Sequence, residues 1–92
     1  MLPIDINKIC NQALSFFGHE AQVRQAQEEC AELIVALSHL SRGRETLEEV
    51  ASEIADVEIM MTQMRVVCGN NLVETAKAEK LSRLRRILEG GK

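Results

Sequence analysis

Ninety-two residues suffice for one compact core and leave no length for a second, so any function is expected to sit on residues 1–92 as a single domain. Apolar residues form 46% of the chain and charged residues 27%, a balance that excludes disorder, and no apolar run approaches the roughly 20 residues a membrane helix needs. Aromatics are only 2% (Phe16 and Phe17) and the net charge is −3, so neither base-stacking platforms nor a global pull toward nucleic acid or an anionic membrane is expected.

The only proline is Pro3, and glycines at 18, 43, 69, 90 and 91 punctuate long uninterrupted stretches. The spacing predicts four helices, at about 4–17, 20–41, 46–67 and 71–89, with Gly18, Gly43 and Gly69 as C-terminal stops and Thr46 and Asn71 as N-caps. No segment sustains a period of two, and the short connections favour antiparallel neighbours, so the expected fold is an all-α, four-helix antiparallel bundle.

The N-terminus, Met-Leu-Pro-Ile-Asp, lacks the pattern of a secretory signal, and a cytoplasmic location is expected. Cys10, Cys30 and Cys68 are odd in number with no CxxC or Cys/His metal spacing, and are expected as buried free thiols. Phe16 and Phe17 read as core residues, with His19 in a loop or cap.

Helix 2 gathers Val23, Ala26, Cys30, Leu33, Leu37 and Leu40 on one side, its expected core face. Ala31 and Val35 project elsewhere, which suggests cover by another subunit. Glu28, Glu29 and Glu32 lie in a stretch, 25–41, that contains no Lys or Arg, and Glu29 projects to the border of the core sector with Glu32 beside it. His39 has no partner at ligand spacing and reads as a surface residue.

Helix 3 repeats the imbalance over 46–64, with Glu48, Glu49, Glu53, Asp56 and Glu58 and no base. Its apolar stripe is Val50, Ile54, Val57, Met60, Met61 and Met64, and Glu53 projects between Met60 and Met64, toward the interior, with Glu49 and Asp56 at one edge. The methionines read as core filler. Burying ionised carboxylates is costly unless cations compensate them. Glu29-x-x-Glu32 and Glu53-x-x-Asp56 each set two carboxylates one turn apart, so antiparallel packing of helices 2 and 3 can gather four oxygen donors around a hard divalent cation, Mg²⁺ first and Mn²⁺ second. The competing reading is a solvated acidic face. There is no Glu-x-x-His motif of the di-iron kind and no Gly-rich phosphate loop.

Helix 4 supplies the opposite charge: residues 77–92 hold Lys77, Lys80, Arg83, Arg85, Arg86 and Lys92 against Glu79 and Glu89. On its apolar stripe of Val73, Ala76, Leu81, Leu84, Ile87 and Leu88, Lys77 and Lys80 project inside the arc and Arg83 at its margin. Complementing the helix dipole explains Arg85 and Arg86 but not Lys77. Acids that hold a metal facing bases that hold oxyanions describe a phosphate-ester or polyphosphate site.

Glu28-Glu29-Cys-Ala-Glu32 followed by Glu53-Ile-Ala-Asp56 resembles the EExxE and ExxD motifs of MazG-like all-α nucleoside triphosphate pyrophosphohydrolases, a similarity covering roughly residues 17–88. The resemblance implies a bundle completed as a homodimer or homotetramer and Mg²⁺-dependent cleavage of a nucleoside triphosphate to the monophosphate and pyrophosphate. Glu29, Glu32, Glu53 and Asp56 match the metal ligands, and Glu28 completes the first motif as base or as an outer ligand. Lys77, Lys80 and Arg83 resemble the basic residues near the triphosphate. The water's proton is expected to pass to Glu28 or Glu32. Phe16, Phe17 and His19 are the candidates for gripping a base. Two alternatives stand beside this reading: a non-enzymatic helical interaction module, and a phosphoribosyl-ATP pyrophosphohydrolase, or a dUTP- or dCTP-directed enzyme, of the same superfamily.

Overall fold

Asp5 begins the first helix: its carboxylate accepts the Lys8 backbone N–H, so α1 runs Ile6–Phe17, two residues later than the pattern suggested. In this computed structural model, which describes residues 3–90, α2 spans His19–Ser41, α3 Leu47–Cys68 and α4 Asn70–Leu88, with no strand among the described residues. Thr46 caps α3 as expected, its hydroxyl accepting from the Glu49 N–H. Asn71 does not cap α4; Gly69 ends α3 and starts α4 at once, leaving Asn71 inside the first turn. Gly18 joins α1 to α2 in the same single-residue way. Both glycines have strongly positive φ (+92° and +105°), a conformation that an L side chain resists. Arg42, not Gly43, is the C-cap of α2, and Gly43 turns the chain one residue later at φ +71°.

The centre of the fold is the antiparallel pair α2 and α3, against which α1 packs through Cys10 and Leu14. The buried stripe of α2 is rotated from the expected face. Gln22, Ala26 and Ala36 are buried, Glu29, Cys30 and Leu33 half-buried, while Val23 and Leu37 are exposed. On α3, Val50, Met60 and Gln63 are buried and Glu53, Val57 and Met64 half-buried, whereas Ile54 and Met61 face out. Both stripes step alternately by three and four residues, and a glutamate sits in the middle of each. Cys10 is buried, Cys30 half-buried and Cys68 exposed, all free. Phe16 and Phe17 stack edge to face on the surface and not in the core.

The fourth helix departs from the expected bundle. Among the described residues α4 approaches α3 alone, tied by the Arg65 guanidinium, which donates to Asn70 and Glu74 at the elbow. None of its residues is buried, and Leu81, Leu84, Ile87 and Leu88 are exposed. A single residue, Gly69, separates α4 from α3, and unlike α1, which is joined to α2 just as tightly, α4 does not lie over the α2–α3 pair.

Candidate metal centre between α2 and α3

Glu29 and Glu53 are the two acids that the packing of α2 on α3 forces together, because each occupies a core position of its helix. Asp56, one turn beyond Glu53, joins them, and one carboxylate oxygen from each of Glu29, Glu53 and Asp56 lies within 4.8 Å of the others. Gln25 Nε2 donates to Glu29 Oε1 at 2.8 Å, orienting that carboxylate one turn along α2. The remaining oxygen, Glu29 Oε2, is buried without a hydrogen-bond partner, and so is Glu53 Oε2. Buried carboxylate oxygens are among the costliest atoms to leave unsatisfied. Three converging carboxylates, two of which each have a buried oxygen without a partner, form a cluster of hard donors that could hold a cation.

Glu32 stands outside that convergence but beside it. Its side chain is exposed and lines the adjoining cleft with Glu53. The neighbouring Glu29 charge, above all, raises the Glu32 carboxyl from its ordinary value of 4.5, with desolvation, Glu53, a hydrogen bond to Glu29 and Asp56 adding in the same direction. Glu28 is exposed and does not line the cleft. Glu49 is exposed as well.

The cleft itself, about 400 Å³, has walls of Ala31, Val35 and Ala36 and runs from Glu32 and Glu53 to His39 and Glu45. His39 therefore is not an isolated surface residue: its Nδ1 lies 4.0 Å from Glu45 Oε2 at the mouth of the cleft. Sequence spacing hid this pair, because Glu45 belongs to the turn after α2 and meets His39 only once the chain reverses. The Arg44 N–H bonds the His39 carbonyl at 2.8 Å in that same turn.

The expected phosphate-binding cations stand elsewhere. Lys77, Lys80 and Arg83 are exposed on α4; Lys80 and Arg83 share a shallow depression with Glu79 and Arg86, and Lys77 acts on Glu74. None of the three lines the carboxylate cleft. The projection that put Lys77 and Lys80 at a core edge assumed a covered α4, and within one chain α4 is uncovered. Phe16 and Phe17 likewise lie apart from the cleft, with Phe16 at a separate hollow on α1, and His19 is the exposed first residue of α2. Compared with protein-family models, curated proteins and solved structures, the chain matches none.

Proposed function

We propose that the protein is a divalent-metal-dependent nucleoside triphosphate pyrophosphohydrolase, cleaving its substrate to the monophosphate and pyrophosphate. The observation that carries the reading is the convergence of Glu29, Glu53 and Asp56 between two helices, with a buried, unpartnered oxygen on each of Glu29 and Glu53. Glu29, Glu53 and Asp56 hold the cation in this reading, with Glu32 as its fourth ligand or as the base. Bound Mg²⁺ supplies charge neutralisation on the phosphates and a lowered pKa for water.

Of the two candidate bases, Glu32 is favoured over Glu28. It lines the cleft beside Glu53, within reach of a water held there, whereas Glu28 does not. The apolar walls from Ala31 to Ala36 receive the organic part of the substrate, with His39 and Glu45 at its far end. Lys77, Lys80 and Arg83 reach the phosphates from α4 of another copy, so the active form is a homodimer or homotetramer. The uncovered leucines of α4 support that assembly and equally favour the second reading, an interaction module that binds through α4 without chemistry.

A pyrophosphate-release screen across ribo- and deoxyribonucleoside triphosphates and phosphoribosyl-ATP, with Mg²⁺, Mn²⁺ or chelator, separates these readings. Metal-dependent release from at least one triphosphate is expected. Absence of release across the panel, together with a melting temperature indifferent to both metals, leaves the interaction module standing.

A further inference from the structure

Apart from the carboxylates, the α2–α3 interface buries one other polar pair. Gln22 and Gln63 are 8% and 3% exposed, and Gln22 Nε2 donates to Gln63 Oε1 at 2.7 Å. Gln63 Nε2 turns to the Met60 sulfur at 3.8 Å, and Cys10 of α1, which donates to the Ile59 carbonyl, also meets Gln63. Such a layer adds little stability over well-packed apolar side chains of the same volume, yet it distinguishes one helix register from its neighbours.

Its position along the helices gives that discrimination a use. Gln22 precedes Glu29 by seven residues (29 − 22), and Gln63 follows Asp56 by seven (63 − 56). In an antiparallel pair, seven steps up α2 match seven steps down α3, about 10.5 Å along each axis. The register that pairs the two amides is therefore the register that sets Glu29 against Asp56. A slip of one turn, about 5.4 Å, would move Asp56 away from Glu29 and so undo this particular grouping of three.

We propose that Gln22 and Gln63 are positioning residues: their buried amide pair locks the α2–α3 register that holds Glu29, Glu53 and Asp56 together before a cation arrives. This inference rests on the metal-binding reading above and adds to it the device that preorganises the ligands.

The test uses the full-length protein, stripped of metal, with Gln22→Met and Gln63→Met combined. Methionine nearly matches glutamine in volume and helix propensity, so packing is kept while the amide pair is lost. Calorimetric titration with Mn²⁺ alone is read beside a metal-free thermal melt. The double variant is expected to melt at or above the parent temperature and to bind Mn²⁺ at least about tenfold more weakly. A pair with a merely structural role would lower the melting temperature and leave the affinity; Mn²⁺ affinity equal to the parent's, or a variant that fails to fold, overturns the inference. If the parent itself binds no Mn²⁺, the carboxylate reading falls and this one with it, whereas a binding parent with an equally binding variant sinks the register role alone.

Discussion

Glu53 occupies a position on α3 where Val50 before it and Val57 and Met60 after it are wholly or partly buried, so its charge is held against the core. Removing that charge has two opposite consequences. Glu53→Gln deletes one of three convergent anionic donors and is expected to abolish Mn²⁺ binding and any metal-dependent turnover. In chelator the same variant is expected to melt several degrees above the parent, because a buried, unpartnered oxygen no longer carries charge beside Glu29 and Asp56. Melts in chelator and in Mn²⁺ read both effects, and a variant that binds Mn²⁺ like the parent removes Glu53 from the ligand set. The repulsion also has a pH signature at Glu32. The native state holds the Glu32 proton more tightly than the unfolded chain does, so this group opposes folding as pH rises above 4.5 through the raised native value, and the penalty is absent below that window. The inward position of Glu53 was legible in the sequence from its angle between Met60 and Met64. That Glu29 sits on the core stripe itself, and not at its border, was not: the face of α2 is set by packing on α3, which chose Gln22 and Ala36 over Val23 and Leu37.

At the scale of helices, stops and caps were readable where a single residue decides them. The Thr46 hydroxyl fixes the start of α3, and through it the phase at which Glu53 and Asp56 face α2. Thr46→Ala is expected to cost about 1 kcal/mol and to lower the melting temperature by roughly 4–8 °C for a domain of this size, while retaining Mn²⁺ binding, as a melt and a titration would show. Asn71 misled because Asn is a frequent cap; here the single glycine before α4 already ends one helix and begins the next, so the cap position falls on Gly69. The His39–Glu45 pair escaped for a different reason. Its spacing of six residues crosses a chain reversal, and periodicity describes one helix at a time.

At the scale of the molecule, the four helices and the lack of strands among the described residues were legible, but the placement of α4 was not. Hydrophobic periodicity states that a face must be covered and is silent on which chain covers it. The stripe Leu81, Leu84 and Leu88 is genuine, yet among the described residues it stays exposed. Leu84→Asp is therefore expected to shift the protein to a monomer in light scattering, leave its helicity intact and strip away turnover that depends on Lys80 and Arg83 from another copy. Unchanged molar mass would remove α4 from the assembly surface.

The direction in which α4 leaves the core rests on Gly69. A Cβ there would meet only Leu72 side-chain atoms at 3.7 Å and 3.9 Å, so space is not what reserves the position; the +105° backbone angle is. With an ordinary residue relaxed into helical angles, α3 and α4 would fuse into one rod from Leu47 to Leu88, and the cationic arm would swing to a new bearing. One backbone joint thus sets the bearing of the whole cationic arm, although the glycine that forms it belongs to neither helix.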